Sequence, residues 1–92
     1  MSYKLKFVKK ALKEWEKLDG ETREFFKKKL KSILKNPHNK RNKLKGFENV
    51  YKIKLKQKSY RLAYYVDDTE KSVTVLIIAH RDDIYKKLGK RK

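Results

Sequence analysis

The chain has 92 residues, with 28 Lys and Arg against 11 Asp and Glu, which gives a formal net charge of +17. This length predicts one small domain over residues 1–92, and the lack of cysteine excludes disulfides and thiolate zinc sites. Charges interrupt every apolar stretch, so neither a signal peptide nor a membrane-spanning helix is expected, and the composition is compatible with a reducing cytoplasm. So large a positive charge predicts a polyanionic partner, although lysine could also be a default solvent-facing residue.

The N-terminal half predicts one strand followed by two helices. Residues 3–7 alternate apolar and basic side chains, as a half-buried strand does. Apolar residues then recur at helical spacing over residues 8–18, and Gly20 is expected to end this first helix. A second amphipathic helix ends before Pro37, because the residue preceding a proline avoids the helical region. The short link between them predicts a helical hairpin.

The C-terminal half predicts three strands and a short helix. Residues 38–49 have a loop composition, with Leu44 as a single anchor into the core. Residues 50–56 and 60–66 alternate, and residues 73–79 are apolar on both faces, as in a central strand that is covered on each side. A short helix starts within residues 80–85. The element order is therefore β-α-α-β-β-β-α, an α+β fold in which the last three strands form an antiparallel meander and the helical hairpin covers one face.

The strand alternation places cations and aromatic rings on the sheet face opposite the helical hairpin. The side chains expected to share this open face are Lys52, Lys54, Lys56, Arg61 and Tyr65. The end of the last strand then brings His80, Arg81 and Tyr85 to its edge. Cations bind phosphates and rings stack on unpaired bases, so the face suits single-stranded RNA. A solvated lysine row and an ordinary helix anchor at Tyr85 are the alternative interpretations.

The same residue types suit RNA cleavage without a metal or other cofactor. The 2′-OH of RNA attacks the adjacent phosphate when a base takes its proton, cations stabilise the phosphorane, and an acid protonates the leaving 5′-oxygen. A lysine crowded by other cations has a lowered pKa and can act as the base, and arginine stabilises oxyanions through paired donors. A two-metal nuclease is disfavoured, because the adjacent aspartates Asp82 and Asp83 point in different directions.

Five segments, in this order and spacing, resemble the RelE toxins of the RelE/ParE superfamily of toxin–antitoxin systems: residues 11–15 (ALKEW), 27–30 (KKKL), 42–46 (NKLKG), 51–55 (YKIKL) and 60–62 (YRL). The resemblance covers nearly the whole chain. It implies a curved antiparallel four-stranded sheet with an N-terminal helical hairpin on one face and a short C-terminal helix. It also implies a ribosome-dependent endoribonuclease that cleaves mRNA in the A site, leaves a 2′,3′-cyclic phosphate and a 5′-hydroxyl, and so inhibits translation.

The resemblance also implies individual roles. Lys54 looks like the general base and Lys52 like a neighbour that stabilises the phosphate, while Arg61 looks like the transition-state clamp. Arg81 matches an arginine proposed as the acid or its electrostatic partner. Tyr85 corresponds to a tyrosine that stacks on and orients the substrate base.

Further residues complete the expected site. His80 is a second candidate acid, since histidine at this place is implicated in acid–base catalysis in other toxin branches. Four side chains are expected to contribute to substrate binding: Lys56, Tyr65, Lys43 and Lys45.

The expected partners are the ribosome with its mRNA and a cognate RelB-like antitoxin, which should be acidic and carry an amphipathic helix. Operator DNA is expected to be contacted only through the antitoxin complex, and no membrane is expected. Two other functions are compatible with the sequence: a ParE-like toxin that acts on DNA gyrase, and a non-catalytic RNA-binding module.

Overall fold

The computed structural model describes residues 2–38, 42–44 and 46–91, the side chains of residues 90 and 91 excepted. Its elements are β1 (Lys4–Phe7), α1 (Lys9–Lys17), α2 (Gly20–Lys35), β2 (Val50–Leu55), β3 (Tyr60–Asp67), β4 (Ser72–His80) and α3 (Ile84–Arg91), with a 3-10 turn at Lys56–Lys58. The predicted element order is confirmed. In the described part of the chain, none of the helices combines the length and apolar character that crossing a bilayer requires.

The four strands form one sheet in the order β1-β4-β3-β2. β2 pairs antiparallel with β3, and β3 pairs antiparallel with β4, so the predicted meander is confirmed. The expectation of a wholly antiparallel sheet is wrong for β1, which pairs parallel with β4. The chain leaves β1, crosses one face of the sheet as α1 and α2, and enters β2 at the far edge. Crossovers of this kind connect strands that run in the same direction.

Apolar clusters cover both faces of the sheet. The first lies under α1 and α2 and contains Phe26, Leu30 and Tyr64. The second contains Ile84 and Leu88 of α3, packed on the opposite face; the predicted anchor Leu44 belongs to it and is buried. The face expected to be open is therefore partly covered by α3. The sequence signal for this packing was the helical spacing of two apolar residues, Ile84 and Leu88, within a basic segment.

A bulge in β4 determines which way its last residues point. Ala63 pairs with Ile77 and Tyr64 with Val75, so Leu76 is an extra residue between two consecutive register positions. One extra residue reverses the alternation of side chains beyond it. Leu76 and Ile77 accordingly both lie in the α3 cluster, which is why this strand looks apolar on both faces in the sequence.

The corner between α1 and α2 differs from the prediction at Gly20, which is the first residue of α2 rather than the end of α1. α1 ends at Lys17, and Asp19 is the N-cap of α2, its side chain accepting a hydrogen bond of 2.9 Å from the Thr22 N–H. The Arg23 guanidinium donates to the Leu18 carbonyl at 2.8 Å, near the end of α1. The carboxylate thus satisfies an N–H at the start of α2, and the guanidinium satisfies a carbonyl near the end of α1.

Asp68, in the turn after β3, joins segments that are distant in sequence. Its Oδ1 accepts a hydrogen bond of 2.7 Å from the Tyr3 hydroxyl and lies 2.7 Å from His38 Nε2. His38 Nδ1 lies 3.1 Å from the Tyr51 hydroxyl, and the Tyr51 ring stacks on the buried Tyr64. The hydrogen bonds from His38 and Tyr3 hold the pKa of Asp68 below its ordinary value.

We predict that Asp68→Asn lowers the melting temperature most near neutral pH. Because the folded pKa of Asp68 is depressed, the carboxylate stabilises the fold above its unfolded value of about 3.9 and loses this contribution as the pH falls through the folded value. Thermal unfolding followed by circular dichroism from about pH 7 to about pH 3 should show the two melting curves converging in acid. The control is Glu70→Gln, which removes an exposed carboxylate 3.4 Å from Lys6. A difference between Asp68→Asn and wild type that is constant with pH would contradict the prediction.

Candidate functional site

An open cleft at the end of the β2–β3 hairpin is lined by Lys54, Lys56, Ser59, Arg61 and Arg81. Its volume is about 270 Å³. The cleft lies on the α3 side of the sheet because Lys54 and Arg61 are directly opposite each other on β2 and β3, with their side chains turned away from the helical hairpin. The neighbour of Arg61 on β4 is Ala79, whose small side chain leaves room for the guanidinium. The structure thus brings together four of the predicted cations.

The backbone of Arg81 is held at the edge of the cleft. Its N–H donates a hydrogen bond of 2.7 Å to the carbonyl of Ser59, which continues the β3–β4 pairing one step beyond the Tyr60–His80 pair. Ser59 adopts the left-handed conformation, with φ of 55°. Arg81 Nε also lies 3.8 Å from Asp82 Oδ1, an exposed and loose ion pair.

Lys52 and Tyr85 form the neighbouring part of the site. The Lys52 ammonium donates a hydrogen bond of 3.3 Å to the Tyr85 hydroxyl and lies 6.0 Å from the centre of its ring. Lys52 is two residues from Lys54 on the same face of β2, a separation of roughly 7 Å. Tyr85, in α3, is 51% exposed, so its ring is available for stacking.

Three of the four cations of the cleft have no ion pair among the described residues, and the fourth, Arg81, has only the loose contact with Asp82. The ion pairs among the described residues do not include Lys54, Lys56 or Arg61. Cations held this close repel one another, and a bound phosphodiester would relieve that repulsion. The cleft is open and lined by cations, so it suits one phosphate of a longer chain.

The structure separates His80 from this group. Beyond the bulge, His80 pairs with Tyr60, and the two rings meet edge-on on the side of the sheet that faces α1. Its Nδ1 lies 3.3 Å from Asp82 Oδ2. The alternation expected from an unbroken strand does not hold here, so the predicted acid does not share the cleft with Lys54 and Arg61.

Three predicted substrate-binding residues also lie apart from the cleft or outside the described chain. Tyr65 is four residues along β3 from Arg61, roughly 13 Å away, and packs against the α3 cluster. Lys43 forms an isolated bridge with Tyr51, whose ring faces the helical hairpin. Lys45 lies outside the described residues. Lys56 does line the cleft, but from the 3-10 turn rather than from the end of β2.

The sequence reasoning missed Ser59, which lines the cleft and binds the backbone of Arg81. The available signal was the four-residue connection between Leu55 and Tyr60, because hairpin loops of this length need a residue with positive φ.

Comparison with known proteins identifies the family. A family model described as the ParE toxin of the type II toxin–antitoxin system, parDE, matches residues 5–85. The mRNA interferase toxin RelE of Escherichia coli is 43% identical over 93 residues, an alignment that covers 99% of this chain and 98% of that protein. The chain belongs to the RelE/ParE family of type II toxin–antitoxin toxins. The mRNA interferase RelE of Shigella flexneri is similar to the same extent.

Solved structures of RelE toxins share this fold. A free E. coli RelE carrying two arginine-to-alanine substitutions superposes with a TM-score of 0.89 at 42% identity, covering 99% of this chain and 98% of that chain. RelE from the intact E. coli RelBE toxin–antitoxin complex gives 0.84 at 44% identity, covering 86% of this chain and 96% of that chain. The resemblance drawn from the sequence motifs is confirmed.

We predict that Leu88→Ala releases α3 from the sheet. Leu88 is fully buried in the α3 cluster, and truncation of a buried leucine costs about 2–5 kcal/mol, which is large for so short a helix. Amide hydrogen exchange over residues 84–89 should accelerate, while that of β3 should change much less. The exposed Lys86→Ala in the same helix is the control. Equal acceleration in β3 and α3 would show that α3 does not open separately from the sheet.

Proposed function

We propose that this toxin is a ribosome-dependent endoribonuclease that cleaves mRNA in the A site and thereby stops translation. The observation that carries the proposal is the cleft in which Lys54, Lys56, Arg61 and Arg81 converge, with only the loose contact between Arg81 and Asp82 as an ion pair among the described residues. The 43% identity to RelE proteins named as mRNA interferases supports the same chemistry.

The proposed reaction is a transfer of the phosphorus atom from the 5′-oxygen to the 2′-oxygen. Lys54 acts as the general base that takes the proton of the 2′-OH, and the 2′-oxygen attacks the phosphorus. Arg61, directly across from Lys54 on β3, stabilises the charge on the phosphorane oxygens with its paired donors. The bond to the 5′-oxygen then breaks, and Arg81, acting as the general acid, donates a proton to the leaving oxygen and regains one from solvent. The products are a 2′,3′-cyclic phosphate and a 5′-hydroxyl.

Lys52 and Tyr85 orient the substrate in this scheme. The exposed ring of Tyr85 offers a surface on which an unpaired base stacks, and such stacking is worth about 1–3 kcal/mol per base. The hydrogen bond from Lys52 fixes the position of the tyrosine hydroxyl and keeps the ammonium close to the phosphate bound by Lys54.

Ribosome dependence follows from the openness of the cleft. A substrate lying in a shallow cleft is held by few contacts, and lysine and arginine are weak acids and bases at neutral pH. Reacting groups that are poorly aligned lose much of the rate that proximity supplies. The ribosome, by holding the codon in a fixed conformation, supplies the alignment, so free mRNA should be cut poorly.

The proposed inhibitor is a cognate antitoxin of RelB type with an acidic surface and an amphipathic helix. The net charge of +17 favours association with an acidic partner. In the solved RelE–RelB complexes of E. coli and of Pyrococcus horikoshii, a toxin of this fold is bound to its antitoxin. We place the toxin in the cytoplasm, where it would meet operator DNA only through the antitoxin complex.

The ParE-like alternative, action on DNA gyrase, is favoured by the description of the matching family model alone. A toxin that binds a protein target has no need for four converging cations beside an exposed tyrosine. A non-catalytic RNA-binding module would keep the charge, but would tolerate loss of Arg61 apart from weaker, salt-sensitive binding.

We predict that Arg61→Ala and Arg81→Ala each lower the rate of A-site cleavage about 10²–10³-fold, the usual cost of removing one transition-state donor. The rate is measured by primer extension on ribosomes programmed with a defined mRNA. Lys31→Ala, an exposed residue of α2, removes the same unit of charge and should leave the rate close to wild type.

The double variant Arg61→Ala/Arg81→Ala, against Lys27→Ala/Lys31→Ala, separates the three functions. Undiminished cleavage by the first pair, or no cleavage by wild type, would refute the proposal. Inhibition of gyrase-dependent DNA supercoiling by wild-type protein without mRNA cleavage would favour the ParE-like function.

A further inference from the structure

The 3-10 turn and Ser59 form a structural link between the cleft and the corner of the helical hairpin. On the cleft side, the Ser59 carbonyl accepts the hydrogen bond of 2.7 Å from the Arg81 N–H. On the other side, the Lys58 ammonium donates hydrogen bonds of 2.6 Å to Asp19 Oδ2 and 3.0 Å to Thr22 Oγ1. The turn is therefore held at both ends, by an active-site arginine and by the N-cap of α2.

This turn needs an anchor because it lies within a crowd of like charges. Lys54, Lys56, Arg61 and Arg81 line the cleft, and Lys58 adds a further cation to the turn, which makes three lysines within residues 54–59. Mutual repulsion favours conformations in which the turn moves away from β4, and such a movement would break the bond between Ser59 and Arg81. Asp19 is the carboxylate that pairs with this turn in the described structure.

The conformation of Ser59 makes the turn responsive to its anchor. Its φ of 55° is unfavourable for a residue with a side chain and persists only where neighbouring contacts fix the backbone. The turn itself is closed by one bond of 3.2 Å, from the Ser59 N–H to the Lys56 carbonyl. Loss of the contacts made by Lys58 would let Ser59 relax and release the Arg81 backbone.

We propose that Asp19 and Lys58 are positioning residues for the endonuclease reaction, acting through the Ser59 carbonyl to hold Arg81 in the cleft. The inference rests on the proposed function, since it assigns the two residues to the reaction in which Arg81 takes part. Neither residue touches the substrate in this scheme. Lys58 is turned towards α2 rather than towards the cleft, although its neighbours Lys56 and Ser59 line it.

The ion pair is suited to this role at physiological pH. Its hydrogen bonds with Lys58 and Thr22 hold the pKa of Asp19 well below its ordinary value, and the pairing raises the pKa of Lys58. Both groups therefore stay charged across the pH range in which ribosomes translate. Because the pair is partly exposed, its effect on the rate should be modest.

The test measures kcat and KM for A-site cleavage by Asp19→Asn and Lys58→Met. Asparagine keeps an N-cap oxygen for Thr22, so α2 should remain folded. Each single variant should lower kcat about two- to fivefold and leave KM unchanged. The double variant should be no slower than the slower of the two single variants, because both changes break the same ion pair. Lys58→Arg, which keeps the positive charge, should cleave at the wild-type rate. In an Arg81→Ala background, Asp19→Asn should have no further effect.

A second measurement is independent of cleavage. Hydrogen exchange of the Arg81 amide, followed by nuclear magnetic resonance in the free protein, should accelerate in Asp19→Asn and in Lys58→Met. Ser59→Val should accelerate it further than Ser59→Gly does, because a β-branched residue opposes positive φ and glycine does not.

The outcomes distinguish the inference from the proposed function. A raised KM in Lys58→Met with no effect of Asp19→Asn would mean that Lys58 binds RNA directly, and would overturn the inference. Unchanged exchange at Arg81 in both variants would overturn it as well. Faster exchange at Arg81 in a toxin that cleaves no mRNA would support the anchoring of Arg81 while the proposed function fails.

Discussion

The register of the central strand β4 is the constraint on which the site depends. The extra residue at the bulge, Leu76, reverses the alternation, so Ala79 faces the cleft beside Arg61, and His80 faces α1. The change is possible because both faces of β4 are covered by apolar clusters, so a reversal exposes no apolar side chain. Past the end of β1, the Ile78 N–H donates to the Glu14 carboxylate at 3.1 Å, and the α1 side chain thus replaces a strand neighbour.

The high positive charge has two separate consequences in this structure. Nine of the 23 lysines lie on the exposed surfaces of α1 and α2, where they provide non-specific attraction to a polyanion. The cations of the cleft are different, because β2, β3 and the 3-10 turn fix them around one small volume. Holding them there opposes their mutual repulsion, and the hydrogen-bonded hairpin supplies the rigidity that this requires. A bound phosphodiester would bring negative charge among these cations and reduce their mutual repulsion.

Much of the fold could be predicted from the sequence, because the periodicity of apolar residues changes sharply between helices and strands. Alternation on β2 and β3 correctly placed Lys52, Lys54 and Arg61 on one face, since those strands pair without interruption. The bulge in β4 could not be predicted, because a strand that is apolar on both faces shows no alternation to interrupt. The same loss of signal misplaced His80.

Other features depended on contacts between distant segments. The role of Asp19 as an N-cap and as a partner of Lys58 is decided by tertiary packing, and Gly20 alone favoured a different helix end. The direction of β1 followed neither from its pattern nor from the length of the links between the later strands. The packing of α3 over part of the cleft face required knowledge of what the residues around Leu88 would contact.

The most direct test of this account is the chemistry of the RNA ends produced on the ribosome. The protein is added to ribosomes that hold a defined mRNA with a known codon in the A site, and both fragments are analysed for their terminal groups. The account predicts one cut within that codon, a 2′,3′-cyclic phosphate on the upstream fragment, a 5′-hydroxyl on the downstream fragment, and little cleavage of the same mRNA alone. A 5′-phosphate on the downstream fragment, or equal cleavage without ribosomes, would contradict it.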